Sequence, residues 1–180
     1  MKMEWLDVWH VLYRKKERNF VGMKFSSVMH VAFYTDKLDE MLDFYVNKLG
    51  LKKKVEVRYG VYKDRPDRPM MYKVAQTNPD KIFNIYIEIA EGQFIELFEA
   101  DENQKPHTDW NEYKGYSHFA LLVDDIYKTK EELLAAGIEI DTDISKGPSE
   151  TYQMWLHDPD GNKFEVMQYT ENSIQVKGNC

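Results

Sequence analysis

At 180 residues, with 43% hydrophobic and 31% charged residues, the chain has the composition of an ordinary globular protein large enough to bury a core. Its formal net charge of −7 argues against nucleic acid or an anionic membrane as the main partner. The single cysteine, Cys180, excludes an intrachain disulfide framework and suits a reducing compartment such as the cytoplasm.

Residues 1–22 differ from the rest. The run from Trp5 to Tyr13 is too short and too polar to span a bilayer, and its basic residues, Arg14 to Arg18, follow it where a signal peptide would place them before. The expectation is an amphipathic N-terminal helix or a dispensable extension. The segment Ser26–Tyr34 then reads as a strand, with His30 on the face shared by Val28, Ala32 and Tyr34. Asp36 is placed to cap a helix from about Lys37 to Leu49, in which Leu38, Met41, Leu42 and Tyr45 have helical spacing, and Gly50 ends it. A strand begins at Leu51. Residues 58–81 carry three prolines together with Arg58, Arg65, Arg68 and Lys73, and read as irregular and basic. Two strands follow, Ile82–Ala90 and Gln93–Ala100, joined at Glu91-Gly92. In the second, Phe94, Glu96 and Phe98 share a face away from Ile95 and Leu97.

After a polar linker over 101–114 the pattern returns. Tyr116–Val123 is a strand with His118 on the face of Tyr116, Ala120 and Leu122. Asp124 or Asp125 caps a helix to Ala136, and Gly137 ends it. A short strand is expected at Ile138–Asp141, then a loop with Gly147-Pro148, then strands Tyr152–His157 and Asn162–Tyr169 around the turn Asp158-Pro159-Asp160-Gly161. Glu165 sits on the last of these, opposite Phe164 and Val166.

The halves repeat one plan: a strand with a histidine, a helix, a glycine, then three strands with a glutamate on the last. Gly50 follows His30 by 20 residues and Gly137 follows His118 by 19. The glycine-to-glutamate interval is 46 residues in the first half and 28 in the second, and the stretch at 58–81 accounts for the excess. The repeat predicts an α+β fold of two βαβββ modules with paired, curved mixed sheets, the first over 24–100, the second over 115–170, and a tail over 171–180. Symmetric packing of such units can bring His30, Glu96, His118 and Glu165 together. Two imidazoles and two carboxylates suit an octahedral Ni, Co, Mn or Fe ion, or Zn with expanded coordination. A surface explains His10, His107 and His157. Tyr34, Phe94, Tyr116, Met154 and Trp155 have the character of a flat apolar pocket lining, though core packing explains them equally well. Lys146, Arg58, Arg65 and Arg68 are candidates for binding an anionic group, or simply solvated charges.

The motifs H-V-A-F-Y at His30, F-I-E-L-F-E at Glu96, G-Y-S-H-F-A-L-L-V at His118 and D-P-D-G-N-K-F-E-V at Glu165 resemble the vicinal-oxygen-chelate superfamily (glyoxalase, bleomycin resistance protein and dioxygenase), and within it the glyoxalase I, or lactoylglutathione lyase, type. The resemblance covers Lys24 to Tyr169. It implies one divalent ion per site held by the four residues above, and isomerisation of a small hemithioacetal-like substrate through an enediolate. Glu165 is then the catalytic base and Glu96 a ligand and second base. It also implies a homodimer whose sites combine His30 and Glu96 of one chain with His118 and Glu165 of the other; the sequence is equally compatible with the two halves pairing within one chain. The bacterial glyoxalase I type has an arginine four residues after the first histidine and an asparagine four after the first glutamate, both helping to hold glutathione. This chain has Tyr34 and Ala100 there, so glutathione itself is doubtful. The alternatives are another metal-dependent member (an epimerase, an extradiol dioxygenase or a thiol transferase) or a non-catalytic small-molecule binding protein.

Overall fold

The computed structural model describes residues 26–105 and 114–178. The expected N-terminal helix, His10, His107 and Cys180 lie outside these residues. Elements follow in the order β1 (His30–Thr35), α1 (Leu38–Leu42, continued by a π-helical Asp43–Lys48), β2 (Lys52–Arg58), a 3-10 turn (Tyr59–Tyr62), α2 (Pro69–Thr77), β3 (Ile82–Ala90) and β4 (Gln93–Glu99). The second half runs β5 (Phe119–Leu122), α3 (Ile126–Ala135), β6 (Thr142–Lys146), β7 (Tyr152–His157), β8 (Lys163–Gln168) and α4 (Ile174–Lys177). Each half builds one four-stranded mixed sheet, ordered β1-β4-β3-β2 and β5-β8-β7-β6. In each, the first strand, which His30 opens in one sheet and His118 immediately precedes in the other, lies at an edge and pairs in parallel with the glutamate-bearing last strand.

Strand alternation decides which residues meet the core. Phe33 and Thr35 of β1 are buried while His30, Ala32 and Tyr34 are exposed. Ile95 and Leu97 of β4, and Phe164 and Val166 of β8, enter a single hydrophobic cluster that also takes Met41, Phe44 and Tyr45 of the first helix and Ile126 and Leu133 of α3. The two sheets share this core through Phe33 against Phe119, with ring centroids 5.9 Å apart, and Phe44 against Phe164 at 6.3 Å. Gly50 and Gly137 both end their helices with φ near +70° (69° and 73°), which a residue without Cβ adopts freely.

Three local expectations are corrected and one open choice is resolved. Asp36 does not cap the first helix: Lys37 holds that position, and Thr35 Oγ1 accepts from the Lys37 amide at 2.9 Å. The cap of α3 is Asp125, whose Oδ1 accepts from the amides of Tyr127 and Lys128. Residues 58–81 are not irregular, because Pro69 opens a helix in its first turn, where its missing N–H costs nothing. The second strand of the second half starts at Thr142, and Ile138–Asp141 lead into it. Asp158, in the turn between β7 and β8, is buried: it accepts from the amides of Asp160 and Asn162 and from the Tyr45 hydroxyl at 2.8 Å, 113 residues away.

Candidate active site

Parallel pairing of β1 with β4 places Ala32 beside Glu96, so His30 and Glu96 project from one face a diagonal step apart. Their side chains meet, with His30 Nε2 lying 3.3 Å from Glu96 Oε2. The second sheet does the same, since Ala120 pairs with Glu165, and His118 Nε2 lies 3.4 Å from Glu165 Oε2. In both pairs a half-exposed imidazole faces a nearly buried carboxylate. The other ring nitrogen is engaged too: His118 Nδ1 is 3.0 Å from Ser117 Oγ, and His30 Nδ1 is 2.9 Å from Met29 Sδ. This leaves Nε2 facing the carboxylate in each pair.

The surroundings of the carboxylates differ. Asn84 Nδ2 donates to Glu96 Oε1 at 2.5 Å, and the Tyr86 hydroxyl also bonds this carboxylate. That bond, more than burial, pushes the Tyr86 phenol up to about 12. Asn84 is 5% exposed, and its Oδ1 is buried with no hydrogen-bond partner among the described residues. In β7 the position facing Glu165 is Trp155, whose ring meets His118 edge-on at 4.7 Å. Tyr86, its counterpart facing Glu96, meets the His30 ring at 5.9 Å.

The donor set fits a divalent first-row ion. Two ligand atoms at roughly 2.0–2.2 Å from such an ion, set at right angles, lie about 3 Å apart, close to the Nε2–Oε2 separation in each pair. The structure brings the four residues together as two pairs. Among the described residues no three histidine, cysteine or acidic side chains converge on one point.

Of the weaker pocket candidates, Tyr34 stacks on Phe98 at 5.2 Å, and an aromatic run continues through Phe83 to Tyr59 and Tyr62 of the 3-10 turn. Phe94 lies against Tyr86 at 5.8 Å. Tyr116 is exposed near Phe33. Met154 is a correction: alternation turns it, with Leu156, into the core, where it is fully buried, so it lines no pocket. The cations considered for an anionic group are engaged nearby. Lys146 pairs with Glu150 at 2.5 Å, Arg58 with Glu56 at 2.5 Å, and Arg65 forks onto Asp67 through two bonds of 2.9 Å; Arg68 is 3.8 Å from the same carboxylate. His157 pairs with Asp141 at 2.7 Å. A cleft of about 710 Å³ lies elsewhere, at the far end of β1, lined by Asp36, Lys37, Arg58, Lys81 and Glu99 among others, and contains neither pair.

Sequence reasoning missed Asn84 and Tyr86. The signal was present: they alternate on β3 with the buried Ile85 and Ile87, so they share the face of the strand opposite the core.

With two strand-borne His–Glu pairs in matching places on matching sheets, the comparisons fall into line. Residues 27–166 match the sequence profile of the glyoxalase/bleomycin resistance protein/dioxygenase superfamily. The chain belongs to this superfamily. It is 24% identical over 153 residues to a probable lactoylglutathione lyase of Vibrio parahaemolyticus, covering 84% of this chain and 96% of the relative. A glyoxalase family protein of Enterococcus faecalis superposes with a TM-score of 0.59 at 23% identity, over 81% of this chain and 99% of that one. The lactoylglutathione lyase of Agrobacterium tumefaciens gives a TM-score of 0.53 at 22% identity, over 81% and 96% of the two chains. At these identities the structures share the superfamily's fold. Among the described residues no helix is long and apolar enough to cross a membrane.

Proposed function

We propose that this superfamily member is a metal-dependent lyase or isomerase acting on a small hemithioacetal-like substrate, with each site shared between two copies of the chain. The observation that carries the reading is the twin geometry of His30–Glu96 and His118–Glu165. Each pair supplies half of a four-ligand set, and within one chain the halves do not meet. The faces that bear them carry uncovered apolar side chains, Tyr34 and Leu122, as expected where a second copy lies across the sheets.

In this reading His30, Glu96, His118 and Glu165 hold one divalent ion. When bound, the ion would stabilise negative charge developing on adjacent substrate oxygens. Glu165 removes the proton from one substrate carbon and returns it to the neighbouring carbon, so the reaction is redox-neutral and needs no further reactant. His30 and His118 are each held by an Nδ1 contact so that Nε2 stays in place. Glutathione is disfavoured as the thiol: Tyr34 and Ala100 offer no charged or amide anchor, and the nearby cations are paired with carboxylates of their own. A thiol with a flat apolar group matches the Tyr34–Phe98 stack better.

The test needs no substrate. Chains carrying His30→Ala with Glu96→Ala and chains carrying His118→Ala with Glu165→Ala are co-expressed without histidine tags, and tightly held divalent metal is counted by mass spectrometry. Neither variant alone should retain metal. Random pairing should restore about a quarter of the wild-type content, because half the dimers are mixed and each rebuilds one of two sites. Absence of recovery in proven mixed dimers would overturn the shared site.

A further inference from the structure

Burying a polar side chain with half its hydrogen-bonding capacity unmet is unfavourable, so a fold that does it at Asn84 has a local reason. Asn84 sits on β3 two residues before Tyr86, with its own cross-strand partner at Phe98. Its amide nitrogen reaches Oε1 of Glu96 and the Tyr86 hydroxyl adds a second donor to the same carboxylate, while Oε2 is turned to His30. The reverse amide orientation would set a carbonyl oxygen against an ionised carboxylate, so the donor-toward-glutamate arrangement is electrostatically required.

The second sheet does not repeat the device. The residues at the equivalent places are Gln153 and Trp155. The Gln153 amide is turned toward Gly147, where a Cβ would lie 2.7 Å from its Oε1. Trp155 carries only an N–H donor at its indole. One carboxylate is therefore locked by a buried amide and a phenol, and its counterpart is framed differently.

We infer that Asn84, with Tyr86, is a positioning residue that fixes the Glu96 carboxylate in place, turned to His30, before any ion or substrate arrives. This rests on the metal-site reading above for its functional meaning, but not for its structural content. Rigid outer partners hold a carboxylate in the geometry it needs when bound, at no reorganisation cost on binding.

Two measurements test it. Nickel(II) alone serves as the probe, titrated against a chelating dye on wild type, Asn84→Ala, the isosteric Asn84→Asp and Tyr86→Phe. Loss of an outer partner is expected to weaken Ni(II) binding by about 10- to 100-fold for the Asn84 variants, and less for Tyr86→Phe, which keeps the amide. Metal-free crystal structures supply the second readout: the Glu96 carboxylate should keep its place facing His30 in wild type and leave it in Asn84→Ala. A Glu96 that stays in place, or Ni(II) affinities within twofold of wild type in folded variants, would overturn the proposal. If wild type binds no Ni(II) yet Glu96 moves in the variant, the positioning role stands and the metal reading fails. Tyr86→Phe removes one half-exposed hydroxyl and keeps the test open if Asn84→Ala does not fold.

Discussion

The first and second sheets carry the same pair in the same register and support it differently. Glu96 is gripped from β3 by an amide and a phenol, whereas Glu165 faces an indole that packs its edge on His118. A duplicated scaffold supplies symmetric positions for four side chains. Chemistry that removes and returns a proton needs the two carboxylates to behave unequally. The inequality is built into the strand next door rather than into the glutamates.

The largest expected effect comes from exchanging the two carboxylates for amides one at a time. Glu165→Gln should lower turnover of a methylglyoxal–thiol hemithioacetal by about 10²–10⁴-fold, the usual contribution of a positioned base, while circular dichroism stays native. Glu96→Gln should instead show its main loss in metal content. If both variants lose metal and turnover alike, the proposed division of labour is wrong.

A smaller effect sharpens the comparison of the halves as packing units. Tyr45→Phe removes the donor that joins the first helix to the turn before β8 and leaves Asp158 short of a partner. The expected cost is about 1–3 kcal/mol, read as a lower melting temperature in calorimetry. No change would mean that the rest of the Asp158 turn suffices alone.

The smallest is a pH effect at the same carboxyl. Burial pushes Asp158 above its ordinary value of 3.8, against the opposing bonds from Asn162 and Tyr45. A carboxyl raised on folding favours the folded state below its unfolded value and loses that contribution as pH rises through the folded one. Acidification from neutrality should therefore stabilise wild type relative to Asp158→Asn, with the gain complete near pH 3.8. Melting temperatures of the two proteins across this range check the sign.

Much of this was written locally in the sequence. Alternation placed His30 and Glu96 on one face, and His118 and Glu165 on another, because period-two patterning survives folding unchanged. Helix ends at Gly50 and Gly137 were legible for the same reason, a local backbone requirement. The helix at Pro69–Thr77 was obscured by the prolines and arginines before it, although Pro69 in a first turn was itself a start signal. Met154 was misread because its apolar character fits a pocket as well as a core, and only its phase against Trp155 decides. The burial of Asp158 was out of reach, since its partner Tyr45 lies in the other half. So was the relative placement of the two His–Glu pairs, which depends on how whole sheets pack and leaves no mark on any one strand.

The Tyr45–Asp158 bond has a consequence for how the halves can be traded. The turn that launches the Glu165 strand takes two of its hydrogen bonds from the other repeat, from the Tyr45 hydroxyl to Asp158 and from Lys37 Nζ to the Pro159 carbonyl, so the second repeat is not a self-sufficient cassette. A chimera that imports its second half from a relative should inherit a well-built turn only when position 45 of the recipient still offers a hydroxyl. Recombination within this fold is therefore expected to succeed best with residues 45 and 158 inherited as a matched set.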